Sequence, residues 1–309
     1  MNYFTKAKPY NSLNEYYKTK YDHKVSKIAL NANFSCPNKD GKKGYGGCIF
    51  CLSGSESSII NRLDDLEKQF NDSVEIINNK WPDSLYIPYL QANSNTYDSL
   101  DNLKLIYEKC ISLSDKVVGL DISTRADCLD EEKVKYLTEL NKRVNVTVEL
   151  GLETTNEATS KYLNRCQTND EIIKAVNLLR KYNIEVVLHI INGLPGEDIN
   201  DMLNNIKFIN KLDVQGIKIH TLLILKNTKL AKIYEEGNFH ILSMDEYVDI
   251  VCQQIALLKD NIIIHRLCSD ATKDVLITPI WSRNKKGVMN EIDKRLRTLG
   301  WYQGMNYTK

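Results

Sequence analysis

Three of the chain's eight cysteines share one glycine- and lysine-rich stretch, NANFSCPNKDGKKGYGGCIFCLSGS, residues 31–55. Cys36 is followed after eleven residues by Cys48, and after two more by Cys51. A structural zinc site or a closed iron–sulfur cluster takes four ligands. Three thiolates hold three irons of a [4Fe–4S] cube and leave the fourth iron an open position. Thiolates are soft ligands that suit iron–sulfur clusters or zinc. Gly41, Gly44, Gly46 and Gly47 let the backbone wrap closely around such a group, with N–H donors available to its sulfides. Lys39, Lys42 and Lys43 can offset its negative charge. The alternative is a zinc knuckle completed by a distant histidine or cysteine.

The elements that must position this loop alternate regularly. Strand-like runs occur at 24–32, 84–92, 116–124, 144–153, 184–193 and 216–225. Between them lie stretches with apolar residues at helical spacing, such as DSLDNLKLIYEKCISL, TNDEIIKAVNLLRKY and DINDMLNNIKFINKL, the last two with Asp170 and Asp198 near their starts. Six strands separated by helices imply a parallel sheet with right-handed crossovers. Chemistry in such sheets sits at the C-terminal ends of the strands. Each run here ends in polar residues or glycines: the cysteine loop, QANSNT, STRADC, ELGLET, INGLPGE and HTLLILKNT. After about residue 240 the pattern changes to a helix (MDEYVDIVCQQIALL), a short strand (NIIIHRL) and a cationic helix (KKGVMNEIDKRLRTLG). The division is therefore 1–240 for an α/β barrel and 241–309 for a C-terminal α/β extension packed over or beside it.

The 309 residues suit one such barrel with an appendage, and 42% hydrophobic content is enough for a sizeable core. A formal net charge of +1 gives no global basic field, so any nucleic acid would need a local patch. No signal-like apolar segment or membrane-spanning run is present, which reads as a cytoplasmic protein without membrane contact. Thiols stay reduced there, so a tight cysteine cluster points to metal or catalysis. Cys110 and Cys252 fall on apolar helix faces and read as core. Cys128, Cys166 and Cys268 read as structural.

The motifs CPNKDG with GGCIFC, YLQANSNTY, STRADCL, VELGLET, LHIINGLPGE, GIKIHTLLILKNTKLA, IIIHRLCSDA and ITPIWSRNKKGVMNEI run in order through nearly the whole chain. Together they resemble the radical S-adenosylmethionine (radical SAM) enzymes, and within them the YhcC/YtqA-like family related to the catalytic subunit of Elongator. The usual Cys-x3-Cys-x2-Cys spacing is lengthened here to eleven residues in the first gap. The resemblance implies a partial (β/α)6 barrel, a [4Fe–4S] cluster on Cys36, Cys48 and Cys51, and S-adenosylmethionine (SAM) on the open iron. It places Gln91, Asn93 and Thr96 where relatives bind the SAM amino group. Ser123 and Arg125 fall where relatives contact ribose or methionine, and Glu153 where they often carry glutamine. Arg165 matches an arginine that pairs with the SAM carboxylate, a job suited to the guanidinium fork. His189 ends the inward-facing run of its strand, and GLPGE resembles the adenine-contacting turn.

His220, Lys226, His265, Arg266 and Asp270 gather at the ends of the late strands, on the presumed substrate side. They could bind a carboxylate, move a proton, contact phosphates or simply support the fold. The Gram-positive members of the family resemble enzymes that remove the carboxymethyl group from 5-carboxymethylaminomethyl-uridine at the tRNA wobble position. The implied partners are the tRNA anticodon arm and a one-electron reductant such as flavodoxin or ferredoxin. Arg283, Lys285, Lys286, Lys294, Arg295 and Arg297, with Trp281 and Trp301, form an expected tRNA platform closing over the barrel end. Two other readings stand beside this one: a radical SAM enzyme for a small metabolite or peptide, and a non-catalytic iron–sulfur or zinc protein that binds RNA.

Overall fold

The computed structural model describes residues 3–52, 65–237 and 239–308. Seven parallel strands form one sheet in the order β1 (Val25–Leu30), β2 (Leu85–Leu90), β3 (Gly119–Thr124), β4 (Asn145–Glu153), β5 (Glu185–Asn192), β6 (Gly216–Thr221) and β8 (Ile263–Arg266). A two-stranded antiparallel ribbon joins β7 (Ile224–Leu225) to β9 (Leu276–Thr278). The strands are short and mostly buried on both faces, as parallel strands under crossover helices must be.

The outer layer is helical. It comprises α1 (Leu13–Tyr21), α2 (Leu66–Asn78), α3 (Leu100–Ile111), α4 (Glu131–Asn141), α5 (Glu157–Tyr162), α6 (Asn169–Lys181), α7 (Ile199–Ile209), α8 (Lys229–Glu235), α9 (Met244–Leu257) and α10 (Lys285–Leu299). Local sequence sets several of their starts. Thr168 and Glu171 form a capping box on α6, as do Asp198 and Asp201 on α7. Each satisfies two N–H groups that have no partner within the helix. Ser99 caps α3 by accepting from Asn102 N.

The sheet curls into a partial barrel. Its two edges, β1 and β8, both contact α1, and the residue before that helix's cap ties it to β8 and the C-terminal segment: the Ile264 N–H donates to Asn11 O at 2.7 Å, and Gln303 Oε1 accepts from Asn11 N at 2.9 Å. Strand β8 lies beyond residue 240, yet it pairs with β6, so the sheet continues into the C-terminal segment. Helix α9 packs on α7, and α10 packs on α9. Cys110 and Cys252 are buried in these layers.

Candidate functional site

The cysteine loop leaves the C-terminal end of β1 and is pinned by its own backbone. Gly47 N donates to Asn38 O at 2.8 Å and Lys43 N to Pro37 O at 2.8 Å. Gly46 and Gly47 turn at positive φ (74° and 72°), a conformation that carries no steric cost only in glycine. Asn164 ties the loop to the chain after α5 by donating to Gly47 O at 2.8 Å. All three cysteines are free thiols, with Cys48 buried and Cys36 and Cys51 half-buried. Among the described residues, no three His, Cys, Asp or Glu side chains gather tightly enough to hold a single ion.

Arg165 sits against this loop. Its Nη1 lies 3.7 Å from Cys48 Sγ and 3.7 Å from Glu153 Oε1, and its Nη2 donates to Gly151 O at 2.5 Å. Its Nε is buried without a hydrogen-bond partner. Burial opposes the guanidinium charge, but Cys48 and Glu153 outweigh that cost and raise its pKa. Glu153 closes β4 at φ 64°, a left-handed conformation rare outside glycine, just where the register with β5 shifts. A Cβ on Gly151 would stand 2.5 Å from Glu153 Oε1 and 3.1 Å from Arg165 Nη2, so a larger residue there would displace those two side-chain ends.

The neighbouring strand ends divide into open and occupied side chains. Among the described residues the Gln91 and Ser123 side chains make no hydrogen bond. Asn93 accepts from Lys39 Nζ at 2.7 Å. Thr96 Oγ1 is committed to Thr124 Oγ1 (2.7 Å) and Cys128 O (2.9 Å). Arg125 is spent inside the protein, donating to both Asp127 oxygens (2.9 and 2.8 Å) and to the carbonyls of Arg165 (2.8 Å) and Cys166 (3.0 Å). Its geometry fixes the backbone that presents Arg165. Glu197, in the GLPGE turn, accepts from Thr154 Oγ1 at 2.5 Å, and burial pushes its carboxyl up to about 7.

Below this rim the barrel interior holds a charged floor centred on Glu149 of β4. Its carboxylate receives Lys27 of β1 (3.0 Å), His189 of β5 (2.9 Å) and Lys218 of β6. Lys27 also pairs with Asp121 of β3, and Lys218 donates to Tyr89 Oη at 3.0 Å. Burial alone would raise the Glu149 carboxyl; Lys218 and Lys27 outweigh it and hold it well below the usual carboxylate range. Burial pushes Lys218 down to about 7, and Glu149 only partly opposes this. Lys27 stays firmly charged, because Asp121 and Glu149 exceed its own burial cost.

The sequence-selected histidines border this floor. His189 and His220 approach with ring centroids 5.2 Å apart. His220 Nδ1 meets Ser269 Oγ at 2.7 Å, and His265 Nδ1 lies 3.4 Å from Lys27 Nζ. Burial lowers the pKa of all three, so they stand neutral near pH 7. Arg266, at the C-terminal end of β8, faces the same interior, and its charge further depresses His220 and Lys218. Lys226 is exposed beside the β7–β9 ribbon and joins none of these contacts.

Sequence reasoning passed over Lys27, Tyr89, Asp121, Glu149 and Lys218. A signal was available. Each charged member interrupts an otherwise apolar strand run (SKIAL, LDIST, VELGL, IKIHT). A charge inside a strand buried on both faces needs a partner from another strand.

Comparison with known proteins follows the same outline. Residues 45–209 match the model of the Radical SAM superfamily, and residues 214–298 match the Radical_SAM C-terminal domain. The chain belongs to the radical SAM superfamily. It is 44% identical over 303 residues to the uncharacterised protein YtqA of Bacillus subtilis (strain 168), covering 98% of this chain and 94% of YtqA. A Methanocaldococcus jannaschii tRNA uridine(34) acetyltransferase is 24% identical over 172 residues, 55% of this chain and 31% of that protein. Among solved structures, the archaeal Methanocaldococcus infernus Elp3 with an N-terminal deletion superposes with TM-score 0.68 at 16% identity, covering 90% of this chain and 64% of that one.

Members of the superfamily bind a [4Fe–4S] cluster and SAM. The donor set fits both: three free thiols on a glycine-turned loop, with a buried guanidinium beside them whose Nε still lacks a partner. Arg165→Ala is therefore expected to weaken SAM binding while iron content stays at the parent level. A shielded, charge-assisted contact contributes about 1.5–3 kcal/mol, or roughly one to two decades in affinity. Equilibrium binding of SAM to the reconstituted protein measures this, and unchanged affinity would leave Arg165 as a brace for Glu153.

The basic segment departs from its expected place. Helix α10 does not close over the strand ends. It starts near the rim, where Lys285 pairs with Asp270 (3.1 Å), and descends along α9. At its far end Arg297 reaches Ala7 O (2.6 Å) and Asp293 accepts from Tyr10 Oη (2.8 Å). Arg295 is held by Asp245 and Asp249 of α9. Trp281 donates to Leu242 O (3.0 Å) and packs on Tyr247, while Trp301 packs on the core. Both tryptophans lie on the segments flanking the helix and turn inward, and acidic neighbours neutralise much of the helix's charge. Arg283, Lys285 and Lys286 stand at the start of α10, where Lys285 meets Asp270.

Proposed function

We propose that this protein removes the carboxymethyl group of 5-carboxymethylaminomethyl(-2-thio)uridine at the tRNA wobble position, leaving the 5-aminomethyl nucleoside. The observation that carries this reading is the 172-residue stretch at 24% identity shared with the tRNA uridine(34) acetyltransferase, in a chain of the radical SAM superfamily. The interior gives it chemical support: Asp121 and Glu149 take up Lys27 and Lys218, and Arg266 is left over as a cation for a substrate with an acidic reacting end. The bound cluster and SAM would supply a 5′-deoxyadenosyl radical able to take a hydrogen atom from carbon. The methylene between amine and carboxylate is the weakest target on this substrate, since nitrogen and carboxylate both stabilise its radical. Loss of one further electron from that carbon to a one-electron acceptor, and of the amine proton, would give an imine, and its hydrolysis would break the C–N bond, releasing the primary amine and a two-carbon oxo-acid. The chain's own part is to orient that carbon and hold protons through the Glu149 network. The nucleotide must leave the anticodon stack to reach the barrel interior.

The neutralisation of α10 favours one competitor, a radical SAM enzyme for a small carboxylate-bearing metabolite. One experiment separates them. The reconstituted protein is incubated anaerobically with SAM, a one-electron reductant and tRNA from a strain lacking the gene, and the nucleosides are analysed by mass spectrometry. The expected result is conversion of the carboxymethylaminomethyl nucleoside to the aminomethyl one, matched by 5′-deoxyadenosine. SAM cleavage with every tRNA nucleoside unchanged would sink the tRNA reading and advance the metabolite one.

A further inference from the structure

Among the described residues, Arg266 stands apart from the paired charges of the barrel interior. Lys27 has Asp121 and Glu149, and Lys218 has Glu149. Arg266, half-buried at the end of β8, makes no hydrogen bond or ion pair with any described residue. A second polar atom, on the neighbouring strand β6, also lacks a partner. His220 Nε2 is buried without a partner, while its Nδ1 is fixed by Ser269 Oγ at 2.7 Å. In the tautomer in which Ser269 donates to Nδ1, neutral His220 carries its proton on Nε2 and offers it as a donor. The two residues sit on adjacent paired strands, Arg266 opposite Lys218 and His220 two residues further along the same face as Lys218. A buried donor and a guanidinium left unmatched are costly unless a ligand completes them.

We infer that Arg266 and His220 Nε2 form an anion subsite inside the barrel and that its ligand is a carboxylate of the substrate. This rests on the substrate reading above and assigns the residues that would grip it. The guanidinium fork matches two carboxylate oxygens, and the imidazole N–H adds a third bond. Such a clamp at the end of β8 would hold the carboxylate still while the neighbouring methylene reacts. Lys218 and Lys27 are already committed to Glu149, so they shape the field without competing for the ligand.

The test uses reconstituted holoprotein and two probes, 5-carboxymethylaminomethyluridine and its primary amide. The parent should bind the acid about 10- to 100-fold more tightly than the amide, the span of one charge-assisted fork. Arg266→Met should cut that preference to about threefold or less, with amide affinity, SAM affinity and iron content unchanged. Arg266→Lys should keep an intermediate preference, since the charge stays and the fork is lost. His220→Phe should remove a smaller share, and it carries the test if Arg266→Met does not fold. A parent that does not distinguish acid from amide overturns the inference, as does a preference surviving both variants. A fall in SAM affinity on Arg266→Met would hand the arginine to the cofactor. Competition by inorganic phosphate equal to that of the acid probe would assign the subsite to the RNA backbone. Acid preference lost in Arg266→Met upholds the subsite even where tRNA is not dealkylated, so the two readings fail separately.

Discussion

Replacing Cys36, Cys48 or Cys51 singly with Ala is expected to give a colourless protein that releases no 5′-deoxyadenosine from SAM. The parent, reconstituted anaerobically with iron and sulfide, should be brown and hold about four irons per chain. Each variant should fall below about one. The argument rests on ligand count. Three thiolates already leave one iron open, and losing another leaves the cube with two protein ligands. A control comes from the chain between α5 and α6, which packs against the loop. Cys166 is exposed, and a Cβ on Gly44 would stand 2.9 Å from its Sγ, so this thiol is close enough to be mistaken for a ligand. Cys166→Ala should keep colour, iron and SAM cleavage. A brown, active Cys36, Cys48 or Cys51 variant would break the assignment, and so would a colourless Cys166→Ala. A parent that stays colourless with stoichiometric zinc would return the loop to the zinc-knuckle alternative.

What could be read before the structure, and what could not, follows from the range of the interactions. Strands β1 to β6 were legible because a parallel strand buried on both faces is a short apolar run closed by turn residues. The starts of α6 and α7 were legible to within about two residues because caps are local, although the cap of α6 is Thr168 rather than the nearby Asp170. The floor was not legible in the same way. Lys27 and Glu149 are 122 residues apart, and their pairing exists only because the sheet curls. Each looked like an isolated charge in its own strand. The α10 platform went the other way. A run of Lys and Arg is conspicuous in sequence, but the acids that neutralise Arg295 lie on α9 and become visible only when the helices pack. Arg125 shows the same limit: its motif suggested a ligand, and two backbone carbonyls distant in sequence claimed it.

Glu149→Gln should lower stability more than any other conservative change in the barrel. The carboxylate is fully buried and serves Lys27, Lys218 and His189 at once. Removing one partner of a buried ion pair costs about 3–5 kcal/mol, because the other charge stays without compensation. For a chain of this size that lowers Tm by on the order of 10 °C. The pH dependence distinguishes this cause from simple misfit. An unfolded lysine titrates near about 10.4, whereas burial already brings Lys218 down to about 7 in the folded parent. In the variant Lys218 loses its attractive partner and titrates lower still, and Lys27 keeps only Asp121. The unfolded state then binds more protons than the folded one over a wider window, so the variant gains stability with rising pH faster than the parent does. The Tm gap should therefore be largest near about pH 6 and shrink towards about pH 9. Anaerobic calorimetry of both proteins across that range is the measurement. A gap that is constant, or that widens as pH rises, would show that Glu149 supports the fold by shape and not by charge.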